Sequence, residues 1–348
     1  MPKGFHLVVL RTLAALCCLA ASPARAQDAD AAFFNGRVVR LIVGFGTGGG
    51  YDAYARMIAP YIGRELGANV IVENQPGAGG VTALNSFFIA PPDGSRIMLA
   101  NGWSNGMSQL MGAPGVRFDL DKVSHLGIVS ASPSVWIVRK DSPWRSINDA
   151  RKATGQINWS GMSPDDGLFI GARVTCKALR LNCSIVLGYK SSNEAGLALA
   201  RGEMDSVFIG DTSANDYTRM GDARALSTMA RTRSRFFPDL PTVFEMEKLS
   251  QDEEWLLDFE ASFERLGRIL ILPPDAPPAR LAFVRAAIAR AMHAPGLIEE
   301  GERTQRYINY VDPESTQETV RRTIGRLTET QKAMVRDLLS SGEQTTRK

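Results

Sequence analysis

Twice in succession, an apolar run of strand length ends in a glycine cluster that opens into a segment of helical period. Residues 38–45 lead through Gly46, Thr47 and Gly48-Gly49-Gly50 into an amphipathic stretch over 51–66. Residues 69–73 lead through Pro76-Gly77-Ala78-Gly79-Gly80 into a second stretch over 80–89. A buried run feeding a helix through a tight turn is the βα unit of a parallel sheet. Loops at the carboxyl ends of neighbouring parallel strands open on the same side and line one crevice. This pattern predicts an α/β fold. Strands are expected over 96–100, 126–129 and 135–139, with Pro133 between the last two as a hinge. A second series follows: helix 147–154, strand 156–159, helix 165–179, strand 184–187, helix 193–202, and strands 204–209 and 225–230. The acidic stretch 245–260 reads as a surface helix. The apolar run Arg268–Leu272, closed by Pro273-Pro274, is expected to return the chain to the first series. The helical segments 279–294 and 314–339 would then close over the first sheet as a belt. Two crossings make the first domain discontinuous, 27–132 plus 266–348, with 133–265 as the second.

The front of the chain carries the signals of export. Lys3 and Arg11 charge it, residues 12–21 are apolar, and Ala24-Arg25-Ala26 is a small-x-small cleavage site, so the exported chain would begin at Gln27. Ten or so apolar residues fall short of the roughly 20 that span a core of about 30 Å, which argues against stable membrane insertion; a buried N-terminal helix is the alternative. Leu16 and Cys17 are poor predecessors for a lipidated cysteine at Cys17 or Cys18. Lys3, Arg11 and Arg25 lie before the cut, which brings the 40 basic residues level with the 37 acidic ones. A neutral exported chain has neither the basic footprint of a nucleic-acid binder nor a polybasic membrane patch. Cys176 and Cys183 remain, an even pair for an oxidising compartment across the turn-like segment 177–182, and they read as a disulfide. Closing so short a loop contributes roughly 2.5 kcal/mol in the chain-entropy model. Free thiols at a helix end and a strand start are the alternative. With no CxxC spacing and only His125 and His293 left, no metal site is expected.

The segment Gly44-Phe45-Gly46-Thr47-Gly48-Gly49 satisfies GxGxxG between a strand and a helix, and Glu73 lies at a tolerable distance for a ribose contact. An exported protein meets little nicotinamide cofactor, however, and the run Gly48 to Gly50 delays the helix start beyond what the fingerprint requires. No Gly-Lys-Ser/Thr follows, so a phosphate-binding P-loop is excluded as well, and no cofactor is expected. The residues fit an anion cradle, where bare backbone brings N–H groups to a ligand at the positive end of a helix. Glycines that only relieve a tight turn are the competing reading. Asp52, in the first helical turn, suits the dipole and serves equally as a cap.

Taken in order, the chain resembles the substrate-binding proteins of tripartite tricarboxylate transporters, the Bug family of periplasmic receptors. The resemblance rests on Val39-Arg40-Leu41-Ile42-Val43-Gly44-Phe45, on Gly48-Gly49-Gly50 with Asp52 and Arg56, and on Val72-Glu73-Asn74-Gln75-Pro76-Gly77-Ala78-Gly79-Gly80. Pro91-Pro92-Asp93-Gly94, Gly188-Tyr189-Lys190, Arg201-Gly202-Glu203 and Pro238-Asp239-Leu240-Pro241-Thr242 with Glu245 follow in family order. It implies a two-lobed periplasmic-binding-protein fold, type II-like, with two hinge-crossing strands that close like a flytrap. It also implies a monomer that delivers a small organic acid to a membrane permease, the acid being gripped by backbone amides and hydroxyls. On the first lobe the contacts would come from Phe45, Thr47, Gly48, Gly49, Gly50, Tyr51 and Asp52, and from Gly77, Ala78 and Gly79. On the second, the matching loop is Ser160-Gly161-Met162-Ser163, with Ser163 as helix N-cap and Asp166 completing a capping box. Tyr189 and Asp211, at the ends of later strands, would face the same cleft. Thr47 and Tyr51 stand where most relatives have a proline and a small hydroxyl residue, and the acidic loop 162–166 favours ligands that carry an amino group.

A signalling receptor is the alternative use of such a site. An enzyme is disfavoured: there is no GxSxG elbow, and His125 and His293 stand without a motif.

Overall fold

The computed structural model describes residues 23–162, 166–189, 192–325, 327–340 and 344–346. The expected leader up to residue 22 lies outside them. Helix α1 (Pro23–Phe34) runs through the expected cleavage position. The first series is β1 (Val38–Val43), α2 (Gly50–Leu66), β2 (Asn69–Asn74), α3 (Val81–Phe88), β3 (Arg96–Asn101), α4 (Gly102–Leu110) and β4 (Ser124–Ser130). The second is β5 (Ser134–Arg139), α5 (Ile147–Arg151), β6 (Ile157–Ser160), α6 (Gly167–Ala178), β7 (Cys183–Leu187), α7 (Ser192–Ala200), β8 (Ser206–Gly210), α8 (Asp211–Arg219) and β9 (Ala223–Thr228). Helices α9 (Val243–Met246) and α10 (Gln251–Glu264) precede β10 (Arg268–Leu272). Then come α11 (Pro278–Met292), α12 (Pro295–Thr304), α13 (Pro313–Val320), α14 (Glu329–Ser340) and β11 (Gln344–Thr346).

The strands form two sheets, ordered β2-β1-β3-β10-β4 and β11-β7-β6-β8-β5-β9. In the first, β1 is parallel to β2 and β3, while β10 runs antiparallel to β3 and β4. In the second, β6 is parallel to β7 and β8, while β5 runs antiparallel to β8 and β9. The antiparallel strand in each sheet is the one that follows a crossing. The chain leaves the first sheet through 131–133 and re-enters it at Arg268, the two passages expected from Pro133 and from the run before Pro273. A disulfide joins Cys176 and Cys183, tying the end of α6 to the start of β7.

Helix α2 shows how local sequence sets these elements. Tyr54, Ala55, Ile58, Ile62 and Leu66 recur at helical spacing and are buried, the apolar stripe that docks on the sheet. Gly67 ends the helix at φ 70°, its N–H turned back to the carbonyls of Arg64 and Gly63. Phe34 of α1 stacks on Phe283 of α11 at 5.6 Å, and Asp30 pairs with Arg280, which holds the entering segment against the first sheet's outer helices.

Two expectations are corrected, and one helix is added. The acidic segment after 245 is not a surface helix: Leu256, Leu257, Phe259, Glu260 and Phe263 of α10 are buried, and α10 packs against both α4 and α6. Its charge belongs to the helix start, where Asp252, Glu253 and Glu254 fill the first turn and Ser250 and Glu253 form a capping box. The C-terminal belt also divides. Helix α13 lies on β4 of the first sheet, but α14 lies on α6, where Arg173 donates to the Leu338 carbonyl at 2.6 and 3.2 Å. Helix α4 has no counterpart in the pattern reading, because its two glycines resemble loop. Gly102 and Gly106 are small for packing instead: a Cβ on Gly102 would lie 2.6 Å from Leu266, and one on Gly106 3.1 Å from Ile324.

Candidate functional site

A cavity of about 220 Å³ lies where the crossing segments separate the two sheets. Its lining comes from both series: Tyr51, Asn101 and Trp103 from the first, Gly167, Leu168 and Phe208 to Gly210 from the second. Ser132, Ser134, Glu264 and Gly267 of the crossings complete it. Four helix N-termini border this space. Tyr51 is the second residue of α2, Asn101 caps α4, Gly167 opens α6 and Gly210 caps α8. Each presents the positive end of a helix dipole. Three of the four carry a carboxylate of their own: Asp52 in α2, Asp166 as the cap of α6, and Asp211 at the head of α8. Of the four, α4 alone has no carboxylate at its start; its cap is Asn101, whose Oδ1 accepts from the Ser104 N–H at 3.0 Å.

The polar groups at the cavity wall and behind it are electrostatically strained. Tyr51 stacks on Phe45 at 4.8 Å, with the Arg268 guanidinium 5.0 Å from its ring centroid. Burial pushes its phenol up to about 12, against the pull of Arg268. Glu264 accepts from the Ser134 hydroxyl at 3.0 Å, and burial raises its carboxyl to about 7. Glu260, one turn earlier, is raised well above the ordinary range by burial and by Glu264. Burial raises Asp211 too, against the hydrogen bond it accepts from Ser234. The buried indole N–H of Trp103 lies toward Glu260 and favours its charged form, against burial and Glu264.

The two glycine loops do meet, as their positions on neighbouring strands predicted. A Cβ on Gly44 would come within 2.8 Å of the Gly80 Cα. Their residues nevertheless stand beside the cavity, with Tyr51 alone of the first-lobe candidates lining it. Gly48, Gly49, Gly50 and Thr47 are exposed, and the Gly48 N–H is already taken, donating to Asp52 at 2.9 Å. Asp52 itself is buried and paired with Arg56 at 2.9 Å. That hydrogen bond, more than the pull of Gly48, holds its carboxyl down to about 2. Asp52 therefore braces the loop. The Phe45 carbonyl accepts from Asn74 at 3.0 Å, which links the two loops. Gly77, Ala78 and Gly79 turn through φ of 156°, 45° and 62°, and Gly79 packs on Ser104 in the first turn of α4.

In the second series the loop expected to face the cleft is folded away from it. Asp166, not Ser163, caps α6, accepting from Leu168 at 2.7 Å and Phe169 at 3.2 Å. It also draws the Met162 N–H back at 2.9 Å. Ser160 is consequently buried with its hydroxyl on the Ala195 carbonyl at 3.4 Å. Gly161 packs against Leu187, and Met162 lies on the cluster that contains Tyr189, a buried core residue. Ser163 lies outside the described residues. Asp211 is buried behind Gly210 instead of projecting into the cavity. The second sheet's contribution thus comes from the first turn of α6 and the end of β8.

Asn101, Trp103, Ser132, Ser134 and Glu264 were missed by sequence reasoning. Asn101 carried a signal, an Asn three residues before Ser104 at a strand end, which is a helix cap. Glu264 carried none, because its meaning depends on which face of α10 is buried. Among the described residues no group of His, Cys, Asp or Glu is arranged to hold a metal.

Known proteins with this arrangement are receptors. A UPF0065 protein of Bordetella pertussis is 29% identical over 302 residues, covering 85% of this chain and 87% of its own length. A TctC solute-binding protein from Polaromonas superposes with a TM-score of 0.68 at 20% identity, covering 87% of this chain and 98% of its own. MatC from Rhodopseudomonas palustris with bound malate superposes with a TM-score of 0.65 at 21% identity, over 87% and 99% of the two chains. The profile of the tripartite tricarboxylate transporter family receptors matches residues 54–335. The family is one of binding receptors, not of enzymes. Over that span, with the two sheets and double crossing already described, the chain belongs to the tripartite tricarboxylate transporter receptor family.

Proposed function

We propose that this chain is a periplasmic receptor that captures a small organic acid in the cavity between its sheets and hands it to a tripartite tricarboxylate permease. The observation that carries the reading is the cavity at the crossings, lined from both series and bordered by four helix N-termini. The two halves act as lobes, 27–132 with 266–348 and 133–265, the leader being removed after Ala26. Its volume of about 220 Å³ lies below the roughly 300–1,000 Å³ of sites for drug-sized ligands, which suits a metabolite of a few carbons. The malate held by MatC has that size and charge.

The binding energy does not require an arginine clamp. Hydrogen bonds to a charged group contribute about 1.5–3 kcal/mol each, so four give about 6–12, against the ~8 kcal/mol of micromolar affinity. The glycine loops, beside the starts of α2 and α4, form the rim. A ligand that touches both lobes only when they are shut shifts the balance toward the closed form, and the permease reads closure as occupancy. Calorimetry of the 27–348 chain against mono- and dicarboxylates tests binding, and solution scattering tests closure. The reading predicts a binder that compacts the molecule; a panel without a binder, or a binder that leaves the scattering unchanged, overturns it.

A further inference from the structure

Helix α10 sends Glu260 and Glu264, one turn apart, to the place where the crossings meet. Glu264 lines the cavity. Behind it Glu260 is 3% exposed, and its Oε1 has no hydrogen-bond partner. Asp211, also 3% exposed and next to the cavity-lining Gly210, has one oxygen on Ser234 and an unpartnered Oδ1. Of the neighbouring cations, Arg268 acts on Glu264 directly, favouring its charged form against burial, and keeps an unpartnered Nε. Arg268 donates to Ser130 at 3.1 Å and lies 4.1 Å over the Tyr54 ring. Arg231 pairs with Glu254 and Asp258, and Arg235 pairs with Glu302. Arg265 is exposed. Tyr51 and Ser134 face Glu264 as neutral groups. Three carboxyls therefore converge on a small interior space, and buried charges are kept only where something compensates them. The start of α4 and Trp103 line the same cavity, the Trp103 indole N–H lying toward Glu260, whose charged form it favours.

We propose that the cavity takes an amino-bearing carboxylate, with Glu264 as counter-ion to the ligand's ammonium and the start of α4 facing its carboxylate. Burial disfavours the charged forms of Glu260 and Asp211, and a cation beside Glu264 offsets that cost. This rests on the carboxylate-receptor reading and narrows it. It also sets a sign. An ammonium prefers ionised Glu264, and burial holds that carboxyl at about 7, so affinity rises between about pH 6 and pH 8. A ligand carboxylate that shared a proton with Glu264 would show the opposite trend.

The test is calorimetry of the 27–348 chain with two matched pairs: malate and aspartate, which exchange hydroxyl for ammonium on one carbon, and glutarate and glutamate. The amino member of at least one pair is expected to bind about tenfold tighter, the ~1.4 kcal/mol of one added charge-assisted hydrogen bond. Its affinity is expected to rise toward pH 8. Glu264→Gln is expected to abolish both the preference and its pH dependence, and Glu260→Gln to reduce them, in variants whose melting confirms that they fold. Equal binding within both pairs, or affinity that falls as pH rises, overturns the inference while the carboxylate reading stands. Failure of the wild type to bind any of the four overturns both.

Discussion

Gly167, the first residue of α6, lies against the indole of Trp103: a Cβ built on the glycine would stand 3.7 Å from the ring. The contact joins the second sheet's longest cleft helix to the first sheet's cap helix at the cavity edge. A methyl group fits there at ordinary contact distance, whereas a phenyl ring adds bulk between the glycine and the indole. Gly167→Phe is therefore expected to prop the lobes apart, leaving each core intact. The radius of gyration with a saturating ligand should stay at the ligand-free value, and affinity should fall by at least about tenfold, or ~1.4 kcal/mol. Wild-type affinity in the folded variant would separate this contact from closure.

A second glycine acts first on stability. Gly171, one helical turn further along α6, would place a Cβ 2.2 Å from the Phe208 ring, a distance no side chain tolerates. Phe208 is 2% exposed and cannot swing into solvent. Gly171→Ala is expected to cost about 1–3 kcal/mol through overpacking, read as a lower urea midpoint with an unchanged slope. Because Phe208 lines the cavity, part of the damage should also appear as weaker ligand binding.

These two glycines show where sequence reasoning reaches its limit. Strands such as Arg268–Leu272 were legible because a buried run bounded by prolines has one reading, and the double crossing followed from them. The glycine loops were legible as a crevice, since βα turns on neighbouring parallel strands must open on one side. The cavity beside them was not. Its second-lobe wall depends on Asp166 winning the Met162 N–H, which turns the 160–162 loop into the core, and periodicity does not rank two competing caps. Glu264 sat in a stretch whose acidity suggested solvent, although the acids of the helix start and those of its buried face belong to different environments. Asn101 was within reach, but Gly102 and Gly106 read as loop where packing against Leu266 and Ile324 was the cause.

His125 is a buried base without a function in the cavity. It is 1% exposed, and burial lowers it to about 4, against the pull of the Leu120 backbone. The unfolded chain takes up this proton near pH 6.5, so stability is lost as pH falls from there toward 4, by about 3 kcal/mol at most. His125→Leu should flatten that part of the profile. Urea midpoints measured between about pH 7 and pH 4 check it, and parallel curves for the two proteins would remove His125 as the source.

Glu264 works in the opposite direction. Its folded value of about 7 lies above the ordinary 4.5, so the native state holds a proton that the unfolded chain has released. Its contribution to stability is complete below about pH 4.5 and is lost as pH rises through 7. In the ligand-free protein, Glu264→Gln is thus expected to match the wild type near pH 4.5 and to exceed it at pH 8, by on the order of 1–3 kcal/mol. The same substitution removes the proposed counter-ion, so stability should rise where amine selectivity disappears, the exchange expected of a strained functional group. Thermal melts of both proteins at the two pH values decide it. A variant less stable at both would mean that the bond from Ser134 outweighs the buried charge, and that Glu264 is held for the fold and not for the ligand.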